Sequence, residues 1–153
     1  MGTVTLRLAA LVDGNPAGET IVFVQGWPDD ASLWDGAVAA LRDTYRCVRT
    51  TLPNYGGDRT VRWGFSTAEI LQALESFIED AHGGKPVTLV LHDWGCYWGH
   101  AVHRRRPDLV VRIASAPTSL RISSPRRAPC SGSSPTSGGS SERSRSVDPS
   151  ATG

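Results

Sequence analysis

The chain is poor in lysine: Lys85 stands alone against fifteen arginines in 153 residues. The arginines do not gather into one stripe, so the imbalance reads as coding bias rather than function. An excess of one charge is also missing, with 16 basic against 15 acidic residues and a formal net charge of +1. No global field recruits nucleic acid or a membrane surface, and neither is expected as a partner. Cysteine is scarce. Cys47, Cys96 and Cys130 are odd in number and fit the spacing of neither a disulfide framework nor a zinc site. Reduced thiols in a cytoplasm are the expectation, with no metal and no cofactor. No apolar run approaches the length of a membrane-spanning helix. "LRLAALV" near the start is too short and too interrupted for a signal peptide. The length suits one domain with one core.

Large aliphatic residues are scarce at one end. Residues 115–153 hold thirteen serines, with only Leu120, Ile122 and Val147 as large aliphatics. Such a segment cannot bury enough apolar surface to offset a chain entropy of roughly 1–2 kcal/mol per residue. A disordered tail rich in Ser, Pro, Arg and Gly is expected over 115–153, after a partial core over 1–114. The abrupt change at Ser115 also resembles a shifted reading frame in a GC-rich gene.

What is present in residues 1–114 is an alternation of strands and helices. "TIVFV" (Thr20–Val24) predicts a buried strand. "DDASLWDGAVAALRD" predicts a helix, with Leu33, Trp34, Ala37, Val38 and Leu41 on one face and Asp29 or Asp30 as cap. "YRCVRTTL" (Tyr45–Leu52) predicts a second strand, ended by Pro53, Asn54, Gly56 and Gly57. Ser66 and Glu69 form a capping box. Ile70, Leu74, Phe77 and Ala81 make the apolar face of the helix that follows, and Gly83 stops it. "VTLVL" (Val87–Leu91) is a third strand, and a helix runs from about Gly95 to Arg106, before Pro107. "VVRIA" (Val110–Ala114) is a fourth strand, and "LRLAALV" is a candidate earlier one. This order predicts an α/β fold: a mostly parallel sheet with helices on both faces. Ligands of such sheets sit beyond the carboxyl ends of the strands. Two loops leave there, "QGWPDD" and "HDWG".

Asp93 lies where the third strand turns into a helix. Backbone N–H groups at a helix N-terminus favour an ionised carboxylate. A carboxylate so placed can attack an electrophilic carbon and form a covalent ester. The N–H of Trp94 points at the carbonyl of that ester, and the N–H of Trp27 supplies a second donor of an oxyanion hole. The alternative is that Asp93 merely caps the helix. Cys96, Tyr97 and Trp98 read as packing residues of the first helical turns, and Arg104–Arg106 as a solvated helix end.

"VFVQGWPDDASLW" and "TLVLHDWGCYWGHAVHRRRPDLVVRI" together resemble the α/β-hydrolase superfamily, in its branch of epoxide hydrolases and haloalkane dehalogenases. The resemblance spans roughly Thr20 to Ala114. The HGxP motif of that branch falls on Gln25, Gly26, Trp27 and Pro28; its nucleophile elbow falls on His92, Asp93, Trp94 and Gly95. The resemblance implies a truncated α/β-hydrolase core with Asp93 as nucleophile and the Trp27 and Trp94 amides as oxyanion hole. Gln25, Gly26, Pro28, His92 and Gly95 then shape the loops. Gln25 replaces the usual histidine and is expected to brace its loop by hydrogen bonding. Leu91 replaces a small residue, which predicts crowding at the elbow.

The branch also implies a lid, a second carboxylate and a histidine base, all after Ala114. His82, His92, His100 and His103 are not placed as that base, and His92 should point to the other side of the sheet. The expected activity is epoxide hydrolysis through an alkyl-enzyme ester on a small apolar electrophile, with this chain inactive as written. A haloalkane dehalogenase is the alternative chemistry, and a non-catalytic remnant or binding module the alternative class.

Overall fold

The computed structural model describes residues 6–55 and 64–116. Five strands form one sheet in the order β1-β3-β2-β4-β5: β1 (Leu11–Gly14), β2 (Thr20–Val24), β3 (Arg46–Thr50), β4 (Val87–His92) and β5 (Val110–Ala116). Pairing is parallel from β3 through β5, and β1 runs antiparallel to β3. Three α-helices accompany it: α1 (Asp35–Leu41), α2 (Thr67–His82) and α3 (Trp94–Arg105). The predicted mostly parallel α/β sheet is what forms, and among the described residues no helix is long and apolar enough to cross a membrane.

Alternation along the strands builds two cores. Val22 and Val24 of β2 join Leu74, Phe77 and Ile78 of α2, Leu89 and Leu91 of β4, and Trp98 and Val102 of α3. Ile21 and Phe23, on the opposite side of β2, pack with Trp34, Val38 and Cys47. Helices therefore cover both faces, and a strand buried on both sides must be apolar throughout, as "TIVFV" is.

The local signals act as their chemistry dictates. At α2 the Ser66 N–H donates to Glu69 Oε2 at 2.8 Å and the Glu69 N–H donates to Ser66 Oγ at 3.3 Å. Gly83 ends the helix in the left-handed conformation at φ 55°. Asp30 caps the other early helix by accepting from the Ser32 N–H at 2.8 Å.

Several boundaries differ from the sequence reading. The 29–43 segment opens with a 3-10 turn over Ala31–Trp34 before α1 begins. Three residues per turn rather than 3.6 displace Leu33 from the buried stripe, and it is exposed. β1 starts at Leu11, not Leu6. It is held to β3 by Arg49, which bonds Asp13 at 3.1 Å and also Asp35. β5 runs through Ala116, two residues past the expected boundary at Ala114. The rest of the proposed tail lies outside the described residues.

Leu91 does not crowd the elbow. Gly99 of α3 faces it, and a Cβ at Gly99 would sit 2.5 Å from a Leu91 methyl. The large residue on the strand is matched by an absent side chain on the helix, and Leu91 is fully buried.

Gly95 and Gly36 occupy the same second position of their helices, yet their surroundings are opposite. A Cβ at Gly95 would strike the Val24 carbonyl and lie 2.8 Å from the Gln25 carbonyl; at Gly36 it would meet nothing within 4 Å. Gly36→Ala should stabilise the fold by about 0.5–1 kcal/mol through helix propensity. Gly95→Ala should destabilise it by about 2 kcal/mol, because the obstructing atoms are backbone and cannot yield. Urea unfolding of the two variants checks the opposite signs; a gain in both would contradict the packing of α3 on β2.

Candidate active site at the strand-to-helix elbow

The carboxyl ends of β2, β3 and β4 lie side by side. Val24 is in register with Thr50 on one side and with Leu91 on the other. The loops leaving these three strands, Gln25–Asp30, Thr51–Tyr55 and the elbow at Asp93, therefore share one edge of the sheet.

Asp93 links β4 to α3 with φ 50° and ψ −123°. Such a backbone is unfavourable for a residue with a Cβ, costing about 1–3 kcal/mol. It makes the turn tight enough to lift the side chain clear of the strand end. Asp93 does not use that side chain as a helix cap: no cap hydrogen bond forms from it. The carboxylate instead accepts a hydrogen bond from the Trp27 N–H, 2.9 Å from Oδ2. A bond to an ionised acceptor contributes about 1.5–3 kcal/mol, comparable to the strain. The simple capping alternative is thus not what occurs here. The positive end of α3 still faces the carboxylate.

Gly26 makes the approach possible. A Cβ there would collide with Asp93 Oδ2 and the Trp94 nitrogen, and would lie 2.6 Å from Asp93 Cβ. Only glycine lets the two loops touch, and the contact brings the Trp94 nitrogen against the Gly26 backbone. Trp27 joins Pro28 through a cis peptide bond.

Gln25 is fully buried. With its amide oriented to satisfy both partners, its nitrogen donates to the Thr50 carbonyl at 2.8 Å and its oxygen accepts from the Leu52 N–H at 2.9 Å. These bonds tie the end of β2 to the loop after β3. A buried amide with both ends paired fixes direction as well as position, since losing either partner would cost about 1–3 kcal/mol.

His92 points to the face opposite Leu91, as alternation requires. Its ring meets Trp34 edge-on at 6.4 Å and its Nδ1 lies 3.8 Å from Asp29 Oδ2. The other histidines are engaged elsewhere or buried away. His82 Nδ1 accepts from the Gly84 N–H at 2.5 Å, His100 Nε2 contacts Ser115 Oγ at 3.2 Å, and His103 Nδ1 is buried without a partner. Among the described residues none of the four bonds to Asp93.

Aromatic rings border the elbow. Trp27 is 66% exposed, Trp94 51% and Tyr97 54%. Trp94 meets Tyr97 edge-on at 5.9 Å, and Tyr97 meets Trp98 at 4.8 Å. Trp98 is a core residue, as expected, but Tyr97 is not. At the third position after Trp94 it lies on the same exposed helix face.

Tyr55 had no assigned role in the sequence beyond its turn. Its N–H donates to the Leu52 carbonyl at 3.2 Å. Its ring is partly buried against the core cluster that contains Leu91 and Trp98. Burial first, and the negative charge of Asp93 second, raise its hydroxyl above the ordinary tyrosine value of about 10. The available signal was a hydroxyl-bearing aromatic in a loop at the carboxyl end of the strand beside β2.

Replacing Gly26 with Ala should push the Trp27 loop away from the elbow and break the Trp27–Asp93 hydrogen bond. The Trp27 amide proton resonance should then move upfield and its exchange should quicken by about tenfold, corresponding to about 1.4 kcal/mol. Asp93→Ala should do the same by removing the acceptor. An unchanged Trp27 amide in both variants would contradict the contact.

The model of a family described as alpha/beta hydrolase fold matches residues 19–128. Over 112 residues the chain is 34% identical to the probable oxidoreductase EphD of Mycobacterium tuberculosis, covering 72% of this chain and 19% of that protein. It is 26% identical over 103 residues to a haloalkane dehalogenase of Mesorhizobium japonicum, covering 67% and 33%. A solved epoxide hydrolase of Bacillus megaterium superposes with a TM-score of 0.62 at 23% identity, covering 72% of this chain and 39% of that one, a likeness of fold. The chain thus spans about a fifth to two fifths of the length of these relatives. With the elbow, the parallel sheet and the family match in agreement, the chain belongs to the α/β hydrolase fold family.

Proposed function

We propose that this chain carries the nucleophile half of an epoxide hydrolase-like active site, in which Asp93 forms an alkyl-enzyme ester with a small apolar electrophile. The observation that carries the reading is the state of the Asp93 carboxylate. It sits on a strained elbow, is withheld from helix capping, and has Oδ2 bound to the Trp27 N–H at 2.9 Å. That division gives the two oxygens different tasks. Oδ1 attacks the ring carbon, and Oδ2 becomes the carbonyl oxygen of the ester. The amides of Trp27 and Trp94 stabilise Oδ2 when negative charge returns to it during ester cleavage. Gln25 and Gly26 hold the first amide in place; Gly95 lets α3 start hard against β2.

The exposed indoles of Trp27 and Trp94 favour a second reading as a haloalkane dehalogenase. Their N–H groups suit a departing halide, and a dehalogenase is among the relatives. Both readings share the ester at Asp93. The histidines of the described residues are bonded elsewhere or buried, so the ester accumulates in this chain instead of being hydrolysed. Loss of a general base alone costs about 10²–10⁴-fold.

Incubation of the purified chain with an activated epoxide, followed by intact-mass analysis and peptide mapping, tests the proposal. One adduct on Asp93, absent from Asp93→Asn, is the expected result. No adduct on Asp93 would refute the nucleophile assignment and favour a non-catalytic binding module. Repeated release of diol would refute the accumulation of the ester.

A further inference from the structure

We propose that Thr51 is a positioning residue: its hydroxyl holds the exit of the loop after β2, so that the end of β3 clamps both ends of the segment that aims the Trp27 N–H at Asp93. The clamp itself stands on contacts alone; its effect on chemistry rests on the reading of Asp93 as nucleophile.

The entry of the loop is held by backbone. Val24 is in register with Thr50, so the next pair in sequence is Gln25 with Thr51. The Gln25 side chain bonds the Thr50 carbonyl and the Leu52 N–H, one residue to each side of Thr51. A backbone residue opposite Thr51 in a parallel ladder would make the same two bonds. The side-chain amide thus takes the place of the main chain, which is free to leave the sheet at Gly26.

The exit is held by side chains from the same strand end. Ala31 opens the 3-10 turn and is 3% exposed. The opening N–H groups of a helical turn have no partner inside it, and a buried one needs a partner elsewhere. Asp30 serves the Ser32 N–H. The Ala31 N–H donates instead to Thr51 Oγ1 at 3.2 Å, 20 residues away in sequence. Arg49 Nη1 donates to the Ala31 carbonyl at 3.3 Å, and its guanidinium is in turn fixed by Asp13 and Asp35. Arg49 and Thr51 continue the alternation of Cys47, which packs with Trp34 on this face of the sheet.

Four consecutive residues therefore divide the work. Thr50 and Leu52 hold Gln25 through backbone, and Arg49 and Thr51 hold Ala31 through side chains. Residues 26–30 span two points fixed on one strand end, and few conformations satisfy both. Freeing the exit admits conformations in which the Trp27 N–H no longer meets Asp93 Oδ2, and the aimed population falls in proportion.

Thr51→Val keeps the volume and removes the acceptor; Thr51→Ser keeps the acceptor. Hydrogen exchange of the full chain is followed residue by residue, together with the rate of the Asp93 adduct from an activated epoxide. In Thr51→Val the Trp27 amide should exchange about tenfold faster, the scale of one hydrogen bond lost to a buried donor. The Val22 and Leu89 amides should keep their protection. The maximal adduct rate should fall by a similar factor at an unchanged half-saturating reagent concentration. Thr51→Ser should restore both readouts to within about twofold. An unchanged Trp27 amide in Thr51→Val would overturn the proposal. Equal loss of protection at Trp27, Val22 and Leu89 would overturn it in favour of general packing. A faster Trp27 amide with an unchanged adduct rate would uphold the clamp and refute the part given to that amide in the ester chemistry. Absence of any adduct in the unsubstituted chain would refute the nucleophile reading, and the exchange data would still decide the clamp.

Discussion

The hydrogen bond from the Trp27 N–H to Asp93 Oδ2 joins two loops separated by 66 residues in the chain. It forms only because neither loop carries a side chain where they meet. Gly26 faces the elbow, and Gly95 faces the end of β2 from the other direction. The strained backbone of Asp93 is held in place by these contacts, not by local preference. An isolated peptide of this sequence would have no reason to adopt φ 50° at an aspartate. The strain, the missing cap and the carboxylate contact are one arrangement, maintained by the packing of α3 on the sheet.

Gln25 extends this arrangement sideways. Its buried amide occupies the space at the end of β2 and binds the backbone of the adjacent loop. A histidine there would have different reach and hydrogen-bonding capacity. The glutamine offers one donor and one acceptor in the same plane, matching the Thr50 carbonyl and the Leu52 N–H. The Trp27 amide and the Tyr55 turn are consequently held to a common support. The Leu91–Gly99 pair performs an equivalent task under the elbow, trading a large residue on the strand for a missing one on the helix.

The fold was legible because each layer has its own period. Burial on both faces marks β2, the 3.6-residue stripe with its capping box marks α2, and the Gly-Gly turn ends it. Asp93, Gly26 and Trp27 were legible as a set because ligand-facing loops of a parallel sheet leave from strand ends, and two of them bore unusual residues. What was not legible depends on contacts remote in sequence. The Gly99 pocket for Leu91 requires knowing which helix turn lies over which strand residue. The 3-10 start of the first helical segment exposes Leu33 against the amphipathic pattern. Tyr97 turned outward while Trp98 turned in, although both are aromatic neighbours.

The central claim is that the two oxygens of Asp93 have distinct roles set by the Trp27 amide. Crystals of the full chain soaked with an activated epoxide measure this directly. The account predicts continuous density from the alkyl carbon to Oδ1, with Oδ2 still within hydrogen-bonding distance of the Trp27 nitrogen and Asp93 still at positive φ. Density joining the alkyl group to Oδ2, or to another residue with Asp93 unmodified, would contradict it.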